Sequence, residues 1–205
     1  MTKNIFLILT FFIFFSVHAQ YEWTPAKVVL KNGSSFRGLV KFPLHSGGLI
    51  SIGSTDFKYR KNRKSPRKKF GSDTVEEVIF GDEDFTTLHY VFVPIKKKKY
   101  VLMELVVRGK VNLYTRSVLK SHSMFNADPN FHSITTYYED SQFYLKRNNE
   151  QIAKLISGPN SFGSFISRAK KYFSDCGKIV YYLENKLYNS NNLIELVDDY
   201  NLFCE

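Results

Sequence analysis

The spacing of apolar residues changes at Gly158-Pro159, and this change limits the chain to a fold with two kinds of structure. Before this point, short segments alternate apolar and polar residues, which is the pattern of antiparallel strands. After it, apolar residues recur every three or four positions, as on one face of a helix. The sequence therefore predicts a mainly β chain with C-terminal helices (α+β), in which an antiparallel sandwich or barrel-like sheet carries a packed helical tail.

The first part of the chain contains roughly nine to eleven strand candidates separated by turn residues. The first hairpin turns at Asn32-Gly33, because this dipeptide tolerates the positive φ of a tight turn. The predicted strands lie within Lys27–Phe42, Leu49–Ile52, Asp56–Arg60, Val75–Phe80, Thr86–Ile95, Tyr100–Val107, Val111–Arg116, Ile134–Tyr138, Gln142–Lys146 and Gln151–Ile156. A loop is predicted from His122 to His132, since this stretch contains Asp128-Pro129-Asn130.

One glycine in the first hairpin has a predicted packing role. Gly38 falls on the same strand face as Phe36, Val40 and Phe42. A glycine inside a strand often marks a place where a neighbouring strand or a large ring approaches closely. We therefore expect a bulky neighbour above Gly38.

The second part of the chain contains three apolar stripes at helical spacing. Asn160 or Ser161 is placed to cap the first helix, and Gly177 is expected to interrupt or end it. The stripes are Phe162, Phe165, Ile166, Ala169, Phe173 and Cys176, then Ile179, Val180, Leu183 and Leu187, and finally Leu193, Leu196, Val197, Tyr200 and Cys204.

The N-terminus has the three parts of an export signal: a basic start at Lys3, an apolar run from Ile5 to Phe15, and Val17-His18-Ala19 before Gln20. The run is shorter than the roughly 20 apolar residues that a membrane-spanning helix needs. We therefore expect a cleaved signal peptide at 1–19, a β domain at 20–158 and a helical subdomain at 159–205, with no transmembrane span after cleavage. The alternative is an uncleaved N-terminal anchor.

The sequence contains two cysteines, Cys176 and Cys204, and both lie on predicted apolar stripes. Outside the reducing cytoplasm, such a pair can form a disulfide that joins the helical tail to itself. The alternative is two buried thiols.

The formal net charge is +10, and the basic residues are concentrated. No acidic residue interrupts the block of Lys58, Arg60, Lys61, Arg63, Lys64, Arg67, Lys68 and Lys69, and Lys96–Lys99 forms a second block. Such blocks attract phosphate-bearing or carboxylate-bearing partners. For an exported chain these partners are an anionic lipid surface or an acidic glycan, not nucleic acid. The alternative is a solvated loop between strands whose charge opposes edge-to-edge aggregation.

The sequence contains no motif for a metal, a cofactor or a catalytic nucleophile, so no catalytic, cofactor-binding or metal residue is assigned. His122, Asp128 and His132 lie close enough in sequence to supply acid–base groups if the fold brings them together. Cys176 could be considered as a nucleophile, but pairing with Cys204 explains it more simply.

The chain resembles uncharacterised exported proteins of Bacteroidetes-type bacteria, and the likeness covers most of the chain after the signal. The residues that carry it are Ala19-Gln20, Val28 to Gly33, Phe36-Arg37-Gly38, Gly109 to Tyr114, Phe173 to Cys176, Tyr200-Asn201 and Cys204. These proteins have no assigned activity, so the resemblance implies an exported location and paired cysteines, and no functional residue.

Three functions remain open from the sequence. The first is a non-enzymatic binding or interaction module of the cell envelope, periplasmic or at the cell surface, which contacts an envelope protein or an anionic glycan or lipid surface. The second is an envelope hydrolase with a site assembled from scattered residues. The third is a structural or assembly factor that docks through its helical tail.

Overall fold

A computed structural model describes residues 23–42, 56–81, 87–124 and 134–204. The predicted signal peptide, the predicted strand Leu49–Ile52, and Asp128 and His132 lie outside these residues. The described part contains ten strands and three α-helices. The strands are β1 (Thr24–Leu30), β2 (Ser35–Lys41), β3 (Asp56–Arg60), β4 (Lys68–Gly71), β5 (Val75–Phe80), β6 (Leu88–Lys96), β7 (Lys99–Val107), β8 (Val111–Met124), β9 (Ile134–Arg147) and β10 (Lys154–Ser157).

All ten strands belong to one antiparallel sheet in the order β10-β9-β8-β7-β6-β5-β1-β2-β3-β4. The sheet is not closed, and β1 lies between β2 and β5. The predicted antiparallel sheet with C-terminal helices is therefore confirmed. Because most neighbouring strands are consecutive in the chain, short turns set most of the topology.

The first half of the sheet curls around an aromatic core. Val28, Val40 and Val78 are fully buried on its inner face, together with Phe57. The ring of Phe57 on β3 stacks on that of Phe92 on β6, with centroids 6.4 Å apart, although three strands separate them in the sheet. This curl lets a half-exposed sheet bury large rings, each of which contributes about 1.5–3 kcal/mol.

Gly38 on β2 has the neighbour that the sequence predicts. A Cβ placed on Gly38 would lie 2.4 Å from the ring of Tyr59 and 2.7 Å from the backbone oxygen of Arg60. The Tyr59 ring lies over this glycine, and its hydroxyl donates a hydrogen bond to the backbone oxygen of Arg37 at 3.1 Å. The absent side chain thus lets β3 settle closely onto β2.

The second half of the sheet curls toward the opposite face. Val93, Met103, Tyr114 and Tyr144 form its core. Along β6, Val93 of this core follows Phe92 of the aromatic core, so the two cores lie on opposite faces of that strand. The curl brings the chain before β10 against β6, where the Ala153 N–H donates to the Pro94 oxygen at 2.8 Å. The hairpin of β8 and β9 is longer than predicted, because pairing continues to Met124 opposite Ile134. The predicted loop is therefore wrong for residues 122–124, which belong to β8 and pair with β9.

Three helices cover the outer side of this second half. They are α1 (Phe165–Tyr172), α2 (Gly177–Glu184) and α3 (Leu193–Phe203), with a short 3₁₀ turn at Ser190–Asn192. Phe173, Ile179, Leu183 and Leu196 are fully buried against strand residues such as Leu113. Among the described residues, no helix is long and apolar enough to cross a membrane.

Two helix boundaries differ from those predicted. Ser164, and not Asn160 or Ser161, caps α1, because its hydroxyl accepts a hydrogen bond from Ser167 N at 3.2 Å. The Ser161 hydroxyl is instead used in a turn, where it donates to the Gly158 oxygen at 2.6 Å. Gly177 begins α2, so it separates two helices but does not simply end the first.

A disulfide joins the helices to each other, and polar contacts join them to the sheet. The sulfurs of Cys176 and Cys204 are 2.01 Å apart, the length of a disulfide bond, as the predicted pairing requires. The guanidinium of Arg147 on β9 donates to Asp175 Oδ1 at 2.7 Å and to the backbone oxygen of Tyr172 at 3.0 Å. It also lies 4.7 Å from the ring centroid of Tyr172. These contacts fix α1 and the following turn to the end of β9.

Candidate anion-binding surface

The predicted basic block forms a hairpin at the edge of the sheet. Lys58 and Arg60 lie on β3, Lys68 and Lys69 lie on the edge strand β4, and the other basic residues lie in the turn between them. Phe57 and Tyr59 alternate with Lys58 and Arg60 and point into the aromatic core. Lys58 and Arg60 therefore lie on the strand that the sequence predicts, whereas the alternative of a loop is wrong for Lys68 and Lys69, which begin β4.

Register places lysines directly opposite one another on three adjacent strands. Lys41 on β2 pairs with Lys58 on β3, and Lys58 pairs with Lys69 on β4. Residues paired in this way have Cβ atoms about 4.5–5.5 Å apart, and like charges at such positions destabilise a sheet. On the same face, Lys27 on the next strand, β1, pairs with Arg37 on β2. We call these five residues, Lys27, Arg37, Lys41, Lys58 and Lys69, the cationic sheet face.

In the described part of the chain, few carboxylates compensate the charge of Lys41, Lys58 and Lys69. Asp56 lies 3.8 Å from the ammonium of Lys69, and both side chains are largely exposed, so this pair contributes little. Within the described part of the chain, no carboxylate lies within ion-pair distance of Lys41 or Lys58. The row of three lysines therefore keeps most of its positive potential.

The turn of the hairpin is ordered by one asparagine. Asn62 Oδ1 accepts hydrogen bonds from Lys64 N and Ser65 N at 3.0 Å and from the Ser65 hydroxyl at 2.9 Å. Arg60 Nη1 donates to the Arg63 oxygen at 3.2 Å, which closes the turn from the strand side. This local network presents Lys61, Arg63 and Lys64 to solvent in a defined arrangement.

The single tryptophan of the sequence lies against this hairpin. The guanidinium of Arg60 is 4.1 Å from the ring centroid of Trp23, and that of Arg67 is 5.9 Å away. In the described part of the chain Arg60 Nε is buried without a hydrogen-bond partner, and the guanidinium that carries it stacks on the indole. Arg60 therefore shapes the surface, while the exposed lysines are available to a ligand.

An open groove of about 680 Å³ adjoins the turn. Its lining includes Arg37, Lys61, Asn62 and Arg63, together with Thr24 and Pro25 at the start of β1. The groove extends the positive surface from the sheet face toward the start of β1. The second basic block, Lys96–Lys99, lies elsewhere: Lys96 ends β6, Lys99 begins β7, and Lys97 and Lys98 form the turn between them.

A histidine site exists, but not where the sequence suggested. His122 lies on β8, and nothing is described of its side chain; Asp128 and His132 lie outside the described residues. Instead His89 Nδ1 lies 2.8 Å from Glu77 Oε1, and His89 Nε2 lies 2.9 Å from the Thr87 hydroxyl. Arg108 donates to the same Glu77 oxygen at 2.6 Å. Because Glu77 on β5 contacts both His89 and Arg108, this set of side chains ties β5 to β6 and to the turn before β8.

No metal centre emerges from the described ranges. They contain no group of three or more histidine, cysteine, aspartate or glutamate side chains that could hold a metal ion. Both cysteines are used in the disulfide.

Fold and site together define a class: an antiparallel β protein with a disulfide-closed helical tail and a cationic sheet face. Comparison of the chain with known proteins found no matching family model, no matching curated protein and no matching solved structure. The functional argument therefore depends on the chain's own geometry.

Proposed function

We propose that this chain is an exported protein of the bacterial cell envelope that binds anionic membrane surfaces through its cationic sheet face. The observation that carries the proposal is the row of Lys41, Lys58 and Lys69 on three adjacent strands. The mutual repulsion of these lysines is relieved when phosphate groups lie over them. A charged area spread over several strands also suits an extended plane of head groups better than it suits a single small ligand.

Two features support the exported location. A disulfide such as Cys176–Cys204 persists in oxidising compartments and is rare in the cytoplasm. The N-terminal sequence carries the export pattern that ends at Ala19. Fractionation of the producing cell, followed by mass measurement, should find the protein outside the cytoplasm with Gln20 as its first residue. A full-length chain that begins at Met1 and is recovered from the cytoplasm would contradict this part of the proposal.

Membrane binding is tested by co-sedimentation with vesicles of phosphatidylcholine that contain or lack phosphatidylglycerol. We expect binding only to the anionic vesicles, and weaker binding as salt increases, because salt screens exposed charges. The triple variant Lys41→Thr, Lys58→Thr, Lys69→Thr removes the row while keeping residues that suit strands. Each basic residue near an anionic surface contributes about 1 kcal/mol, so this variant should bind about 100-fold more weakly.

The matched control is Lys96→Thr, Lys97→Thr, Lys99→Thr, which removes the same charge from the hairpin of β6 and β7. This control should bind nearly as well as the wild type. Equal loss in both triple variants would show that total charge alone drives binding and would contradict the assignment to the cationic sheet face. Binding to a soluble acidic glycan but not to anionic vesicles would replace the membrane with a polymer as the partner.

A further inference from the structure

A cavity of about 510 Å³ lies on the side of the sheet where the second half forms its core, and its described lining includes none of the five residues of the cationic sheet face. Its volume falls within the range of sites for small molecules, about 300–1,000 Å³. The strands β6 to β9 form most of it, and the turn residue Ser72 and the start of β5 close one side. We infer that this cavity binds a small organic anion with an apolar body.

A smaller, apolar part of the cavity lining is held by the sheet. Val91, Val93, Leu105 and Tyr114 line it, and all four belong to the core of the second half. Tyr114 is only 8% exposed, so its position is fixed by packing. The hydrogen bond from Ala153 to Pro94 keeps the sheet curled, so that this part of the lining is formed before any ligand arrives. This apolar part of the lining is the contact available to an apolar body, beside the polar groups that line the rest of the cavity.

The mouth of the cavity is positively charged on three sides. Lys31 comes from the turn after β1, Arg108 from the turn after β7, and Lys146 from β9, whereas Glu76 is the one carboxylate among the lining residues. Arg108 is engaged by Glu77 at 2.6 Å. Lys31 and Lys146 have no carboxylate within ion-pair distance in the described part of the chain. Lys146 Nζ donates one long hydrogen bond, to the Arg147 backbone oxygen at 3.5 Å. Both lysines therefore keep donors that can hold an anionic group.

Amide groups add direction to this mouth. Asn112 Oδ1 accepts from Gly109 N at 3.1 Å, and Asn112 Nδ2 donates to Asn148 Oδ1 at 3.2 Å. This chain of contacts fixes both amides next to Lys146 and leaves the Asn148 amide nitrogen able to donate. A carboxylate, phosphate or sulfonate group can accept from such donors, whereas an ammonium group cannot.

The test uses the full chain and octanoate, whose carboxylate and alkyl body match the two parts of the cavity. Calorimetric titration should show octanoate binding, with octylamine and octanol much weaker. The variant Lys31→Gln, Lys146→Gln should weaken octanoate binding by about 30-fold, the effect of removing two charge contacts in water. The matched control Lys96→Gln, Lys97→Gln should bind octanoate as the wild type does.

Three results would overturn the inference: no octanoate binding, equal binding of octylamine, or full octanoate affinity in the variant that lacks Lys31 and Lys146. A filled cavity gives a second check, because Leu105→Trp should abolish octanoate binding in a chain whose circular dichroism is unchanged; retained binding would contradict the assignment. Vesicle binding should be unaffected by the Lys31 and Lys146 substitutions. The outcome is therefore independent of the proposed membrane function.

Discussion

The side-chain amide of Asn201 in α3 bonds to both backbone groups of Val111 at the start of β8. Asn201 Oδ1 accepts from Val111 N at 2.8 Å, and Asn201 Nδ2 donates to Val111 O at 2.9 Å. A Cβ on Gly109 would lie 2.3 Å from that amide, so the glycine provides the space it occupies. This contact joins the last helix to the turn between β7 and β8.

Asn201→Ala should lower the free energy of unfolding by about 1–3 kcal/mol, because it leaves partly buried backbone groups without partners. Urea denaturation followed by circular dichroism measures the change. Asn185→Ala is the matched control, since its amide bonds only to Tyr181 of the preceding turn on the surface. Equal losses for the two variants would show that the Val111 contact has no special weight.

Gly38→Ala should destabilise the first half of the sheet by about 1–3 kcal/mol, the usual cost of overpacking. The added methyl group would collide with the Tyr59 ring and with the backbone of Arg60, and that backbone cannot simply rotate away. Thermal unfolding measures the effect. Gly177→Ala serves as the control, because nothing lies within 4 Å of its Cβ position; a Gly38→Ala variant as stable as this control would contradict close packing at Tyr59.

The Gly38 contact shows what the sequence could predict. Alternation alone places Gly38 on the same strand face as Phe36 and Val40, because a strand has a period of two. Alternation cannot show that Lys41 and Lys58 lie directly opposite each other on neighbouring strands. Register depends on contacts between distant segments, and a shift of one residue would place them on the other face.

The same limit explains the sites that the sequence did not predict. Glu77, His89 and Arg108 come from three different strands or turns and meet only when the sheet is assembled. The helices of the tail are easier to predict from the sequence, since their apolar residues recur every three or four positions within one local segment. Even there, the residue that caps α1 is Ser164 and not Ser161, because the Ser161 hydroxyl donates to the Gly158 oxygen in the preceding turn.

Removal of the disulfide should lower stability by about 3–4 kcal/mol in the chain-entropy treatment, since it links residues 28 positions apart. Cys176→Ser with Cys204→Ser is the variant, and urea denaturation of the wild type with and without reductant is the comparison. Reductant should have no further effect on the double variant. If the native protein contains two thiols that alkylate freely, the bond is not formed and the expected loss does not apply.

Glu150 should make stability depend on pH in the acid range. Partial burial raises the pKa of Glu150, but hydrogen bonds from Lys154 Nζ, Arg147 N and the Tyr172 hydroxyl outweigh it and hold the pKa below the usual 4.5. A carboxyl group whose pKa is lowered by folding stabilises the folded state above its unfolded pKa. This contribution is therefore complete above about pH 4.5 and is lost as the pH falls through the folded pKa.

Glu150→Gln should be less stable than the wild type at neutral pH and should lose less stability on acidification. The urea midpoint measured at several pH values gives both quantities. Glu184→Gln is the control, because it breaks only an exposed pair with Lys170. Since Glu150 joins β9 to α1 through Tyr172 at 2.8 Å, its protonation should loosen the helical tail first. Parallel pH profiles for the wild type and Glu150→Gln would show that this carboxylate does not carry the acid sensitivity.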